Sequence, residues 1–133
     1  MTAKKILETQ GLRLSIPDTW VVEESSTEIT LRPSVRGGAI TISTYRHQET
    51  NFRPDAVDQC ARFIAIRTNQ DVEVRGTSVS ASADFCDDQR VWWLVRIITR
   101  LNRFALATYN TEIQRDGEME EARAILGGIV FDG

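Results

Sequence analysis

The sequence is poor in the residues that most often carry chemistry. It has one histidine, His47, and two cysteines, Cys60 and Cys86. Zinc sites draw their ligands from clustered His and Cys, so this inventory excludes them. Two cysteines cannot build a disulfide framework either, and both are expected as reduced thiols. Lysine is confined to Lys4 and Lys5, and every other basic residue is arginine. No apolar run approaches the about 18 to 20 residues of a membrane helix; even 91–98 is broken by Arg96 and closed by Arg100. The two lysines lead into no apolar stretch, so residues 1–10 do not read as a secretory signal. They are expected as a flexible lead or a short helix, in a cytoplasmic protein. A Walker loop, a Gly-x-Ser-x-Gly elbow and a dinucleotide fingerprint are all missing, since Gly37-Gly38 and Gly127-Gly128 lack the surrounding spacing. No cofactor is expected, and an enzyme is disfavoured. Nor is there a strong excess of one charge: 19 acidic against 16 basic residues leave a net of -3, too little to steer the chain to nucleic acid.

What is present is a globular pattern. A chain of 133 residues with 41% hydrophobic and 26% charged residues has the size and composition of one domain spanning 1–133. Leu12, Leu14 and Ile16 alternate with Arg13 and Ser15, the period of a strand with one buried face, until Pro17-Asp18 breaks it. Trp20-Val21-Val22, the Ile29/Leu31 pair and the Ile40, Ile42, Thr44 series continue as a meander, with Gly37-Gly38 supplying positive φ for a tight turn. The period then changes. Val57, Cys60, Ala61 and Ile64 predict an amphipathic helix over 57–66, widened by Phe63 and Ile66, with Pro54 in its first turn and Asp55 and Asp58 at the positive end of its dipole.

Val72 and Val74 predict a short strand, and Val79, Ala81, Ala83 and Phe85 a longer one. After an Asp87-Asp88-Gln89 turn, 91–99 and 104–109 read as a hairpin joined through Leu101-Asn102. Its first strand is apolar on both faces, Val91, Trp93, Val95 and Ile97 on one and Trp92, Leu94 and Ile98 on the other, so it is covered on both sides. A second helix is predicted over 118–126 with Met119, Ala122, Ile125 and Leu126 inward, ended by Gly127-Gly128, before 129–131 returns to the sheet. The fold class is α+β: an antiparallel sheet flanked by helices, in the order strands, helix, strands, helix, strand.

That order and two local motifs resemble the PsbP-like fold, which includes the bacterial DcrB-related proteins, the Eag chaperones of type VI secretion and a Ran-binding nuclear import factor. The first motif is Leu12-Arg-Leu-Ser-Ile-Pro17-Asp-Thr-Trp20, similar to the family's opening strand, Pro turn and Trp. The second is Glu121-Ala-Arg-Ala-Ile-Leu126 running through Gly127-Gly128 into Ile129-Val-Phe131, similar to its last helix and closing strand. Gly127-Gly128 depart from the small polar residue often found there. The resemblance implies an α/β/α sandwich. It also implies a protein that binds other proteins or hydrophobic segments, the cytoplasmic members being the closer comparison.

Each candidate for chemistry has a structural reading beside it. His47 would serve as a general base only with a carboxylate and a nucleophile nearby. Cys86-Asp87-Asp88 has the ordinary chemistry of a turn, and Cys60 on the apolar stripe reads as an inert core thiol. The Trp92, Leu94, Arg96 face, with Arg100 and Arg103 further along the hairpin, combines residue types enriched at binding hot spots; its structural reading is a face lying under a helix, with the arginines reaching out at the edge. The segment 45–53, opening with Tyr45, Arg46 and His47, is the other candidate surface. Arg46, Arg53, Arg96, Arg100 and Arg103 could form a nucleic-acid patch, against the acidic balance of the chain. The expectation is therefore a non-enzymatic protein-binding domain, monomer or homodimer. It would act as a bacterial cytoplasmic chaperone or immunity-type partner of a secreted effector or toxin, with no metal, nucleic acid or membrane involved. A small-molecule or lipid-binding domain, with an apolar pocket, is the alternative, and a hydrolase using His47 is a third.

Overall fold

The structure, a computed structural model, describes residues 4–34 and 37–132. Strands β1 (Lys4–Thr9) and β2 (Leu12–Pro17) form a hairpin through a two-residue turn in which Gln10 and Gly11 have φ of 52° and 75°. Positive φ at both turn residues matches the twist of the flanking strands. Residues 4–9 are thus a strand, not the flexible lead or short helix expected. Lys4, Lys5 and Ile6 are all exposed, so no apolar period announced it; residues 1–3 lie outside the described residues. In β2 the expected alternation holds: Leu12, Leu14 and Ile16 are buried and Arg13 is exposed. Fully burying such a side chain contributes about 1.5–3 kcal/mol.

Strands β3 (Trp20–Glu24), β4 (Glu28–Pro33) and β5 (Ala39–Arg46) form the expected meander. Before β5, the positive-φ reading of Gly37-Gly38 is not met: among the described residues the glycines with positive φ are Gly11 and Gly76. Gly38 is required instead by close approach, because a Cβ there would lie 2.3 Å from the Asn110 carbonyl oxygen and 2.8 Å from the Tyr109 ring. Helix α1 (Ala56–Ala65) starts at Asp55, whose side chain accepts from the Asp58 amide at 2.9 Å. Pro54 precedes this cap rather than opening the helix. Cys60 and Ile64 face inward as expected, but Ala61 is exposed and Ile66, already beyond the last helical residue, is 82% exposed.

The next strand, β6 (Arg75–Gly76), lies later than Val72 and Val74, which pack as loop residues against the α1 side of the sheet without pairing their backbone. Strands β7 (Ser80–Cys86), β8 (Trp92–Arg100) and β9 (Arg103–Thr111) complete a seven-stranded sheet of order β3-β4-β5-β9-β8-β7-β6. Helix α2 (Asp116–Gly127) begins two residues earlier than the apolar period indicates, with Asp116 and Glu118 in its first turn complementing the dipole. Gly128 caps it at φ -95°, so the pair of glycines is not a left-handed stop. Strand β10 (Val130–Phe131) does return to a sheet, but to a separate three-stranded one of order β1-β2-β10. Every strand pairing among the described residues is antiparallel.

The seven-stranded sheet separates two cores. On one face Trp20, Ile29, Leu31, Ile40, Ile42, Leu94 and Tyr109 pack with α2 and the small sheet. On the other Ala81, Ala83, Phe85, Val95 and Ile97 pack with α1. The small sheet is the addition to the expected sandwich: it shares the α2 side.

Candidate partner-binding surface

Strands β5, β9 and β8 are neighbours, and their register places Arg46 opposite Arg103 and Arg103 opposite Arg100. Cross-strand partners share a face, so three arginines form one row across the sheet end, on the side of the small sheet. Arg46 and Arg100 are exposed, and Arg103 is half-buried. Arg103 leans over the β1–β2 turn, its guanidinium carbon 5.0 Å from the centre of the Phe131 ring. A shallow groove of about 250 Å³ runs beside it, lined by Gln10, Thr44, Arg46 and Phe131 among others. On the opposite face Tyr45 pairs with Phe104 and stacks on it, centroids 4.8 Å apart.

The loop after β5 is tied to the hairpin turn in both directions. The His47 amide donates to the Asn102 carbonyl at 2.8 Å, and Asn102 Nδ2 donates to the His47 carbonyl at 2.7 Å. His47 stacks on Phe52 at 4.0 Å, and its Nδ1 accepts from the Glu49 amide at 3.1 Å. Arg53 Nη1 donates to the carbonyls of Thr50 and Phe52, which fixes the loop. Tyr45, Arg46, His47, Arg100 and Arg103 are therefore brought together at one end of the molecule. Phe52, Leu101 and Phe104 belong to the same end and are not singled out by the sequence as site residues; the Tyr45–Phe104 register was the signal, but it needs the β5–β9 pairing, which no local pattern reveals.

Trp92, Leu94 and Arg96 do not join them. Leu94 is 2% exposed, in the core between the sheet and α2, which corrects its expected place on an interaction surface. Arg96 donates to the carbonyls of Leu126 and Ile129 at 2.6 and 2.8 Å, at the end of α2. That helix has no basic residue in its own last turn, so the β8 arginine supplies the cation its C-terminus favours. Burial opposes its charge and lowers its pKa. Trp92 is half-buried at the start of β8. The covered-face reading of this strand is the one that fits.

No protein-family model matches the sequence, and no curated protein matches it. Solved structures do. The chain is similar over 98% of its length to the cyanobacterial PsbP protein CyanoP of Synechocystis sp. PCC 6803, with a TM-score of 0.71, 10% identity and 94% of that chain covered. The fold is PsbP-like. The second likeness is to a protein of Bacteroides thetaiotaomicron, with a TM-score of 0.65 and 15% identity over 99% of this chain, which spans about half (49%) of that protein's length.

Other candidate groups in this PsbP-like structure have structural employment. Cys60 is fully buried, and burial pushes its thiol up to about 11. The Asp87 carboxylate accepts from the amides of Gln89 and Val91 and from Trp93 Nε1. Desolvation works against its charge, but these hydrogen bonds and the nearby Arg67 outweigh it and hold the carboxyl below its usual range. Asp88 accepts from the Thr68 hydroxyl. Among the described residues no three His, Cys, Asp or Glu gather as a metal site, and no helix is long and apolar enough to cross a membrane. An open cleft of about 460 Å³ lies beside Gly38, Asn110 and Ile113. Next to it Glu118 Oε2 accepts from the Gly38 amide at 2.9 Å and from the Tyr109 hydroxyl, whose pKa is raised by burial first and by Glu118 second.

Proposed function

We propose that this PsbP-like domain is a non-enzymatic, cytoplasmic protein-binding module, a chaperone or immunity-type partner of a secreted effector or toxin, and that it binds through the β5–β9–β8 end. The observation that carries this reading is the gathering of Tyr45, Arg46, His47, Arg100 and Arg103 there with exposed Phe52 and Leu101. Arginine and aromatic side chains around a rigid support are what interface hot spots are made of. Tyr45 is 47% and Phe52 42% exposed, so both rings are accessible without unfolding anything. The chaperone or effector-partner role draws on the family resemblance alone.

Purification from a native host, followed by mass spectrometry and a binding titration, tests the reading. A stoichiometric protein is expected, and Tyr45→Ala should weaken its binding by about tenfold or more at unchanged melting temperature. A retained small molecule or lipid in place of a protein would move the function to the cleft beside Gly38.

A further inference from the structure

Like charges placed directly opposite on adjacent strands repel, and sequences ordinarily avoid them. Here that arrangement occurs twice in succession, Arg46 against Arg103 and Arg103 against Arg100. Ion pairs among the described residues join Arg13 to Glu8, Arg62 to Asp58, and Arg75 and Arg123 to Asp84; none reaches a member of the row. The row thus has no carboxylate paired to it among the described residues, and its three arginines stem from adjacent strands whose backbones lie about 4.8 Å apart, with Arg103 resting against the Phe131 ring and the β1–β2 turn.

We infer that Arg46, Arg103 and Arg100 form a receiving row for the carboxylates of an acidic segment of a protein partner, an inference that rests on the protein-binding reading. The charge complementarity is specific. Guanidinium forks match carboxylates with two parallel hydrogen bonds, and each carboxylate laid between two arginines removes a repulsion as well as adding a contact. The row attracts acid although the chain as a whole carries -3, so the preference is local. Single-stranded nucleic acid fits less well, because its binding needs aromatic platforms beside the cations. The Phe131 ring beside the row is already covered by the Arg103 guanidinium, Tyr45 and Phe104 stem from the opposite sheet face and stack on each other, and His47 and Phe52 stack on one another.

The test uses the whole chain, an oligoglutamate peptide, the matching oligoglutamine peptide and a single-stranded oligonucleotide of equal charge. At low ionic strength oligoglutamate should bind and oligoglutamine should not. An Arg46→Gln, Arg100→Gln double variant should bind oligoglutamate at least about tenfold more weakly. Without any ligand that variant should melt at an equal or higher temperature than the parent at low salt, the difference closing as salt is raised. Equal oligoglutamate binding by parent and variant would overturn the inference, as would tighter binding of the oligonucleotide. The two readings separate in the partner assay. A natural partner lost on Tyr45→Ala but retained by the double variant sinks the acidic segment and leaves the protein-binding reading standing.

Discussion

Arg96 shows how a residue's type misleads without its partners. An arginine on a strand beside tryptophan resembles an interface anchor, yet its guanidinium holds the carbonyls of Leu126 and Ile129. Arg96→Ala should leave both acceptors without their charged donor and destabilise the fold by about 2–4 kcal/mol, seen as a clear drop in the thermal or urea midpoint. A wet, non-structural arginine would leave the midpoint in place. Cys60 and Cys86 differ in the same way. Cys60 is buried with its thiol pushed up to about 11, whereas Cys86 is half-buried. Alkylation of the native protein should label Cys86 first and reach Cys60 only on unfolding. Because the folded chain keeps the Cys60 proton where the unfolded chain releases it, this group's contribution to stability is present below the ordinary thiol range. It is lost as pH climbs from the ordinary thiol value of 9.0 toward 11. Cys60→Ala should remove that alkaline slope in a pH series of denaturant melts.

At the scale of elements, most of the architecture was legible where one face is buried and the other wet. The β2, β5 and β7 alternations and the α1 period are direct images of their packing. Legibility failed where backbone pairing does not depend on side-chain burial. Lys4–Thr9 is an edge strand held by the ladder to β2, and Arg75–Gly76 pairs with β7 although both residues are exposed. At α2 the expected stop at Gly127-Gly128 is met, without a left-handed residue. Gly127 is the last helical residue, it lies outside the positive-φ glycines, and an added methyl would meet nothing within 4 Å. Gly127→Ala should therefore stabilise the domain by about 0.5–1 kcal/mol through helix propensity and a less free unfolded chain. A melt showing destabilisation would indicate a constraint at this turn that the packing does not display.

At the scale of the molecule, the candidate site was readable as a set of residues but not as a place. The sequence offered eight candidates, and strand order decides which of them meet. The seven-stranded sheet consists of two local meanders, β3-β4-β5 and β6-β7-β8-β9, joined only where β5 lies against β9, from Ala39 opposite Asn110 to Arg46 opposite Arg103. In kinetic language this is a seam: each meander closes through short loops, while the seam joins segments far apart in the chain and bears the larger closure entropy. Arg46 and Arg103 sit on either side of the seam's end, with Arg100 one strand beyond. A partner segment laid across them would tie one meander to the other, so that leaving the complex and opening the sheet become coupled events. Such a partner would act as a staple across the longest-range joint of the seven-stranded sheet and slow its opening.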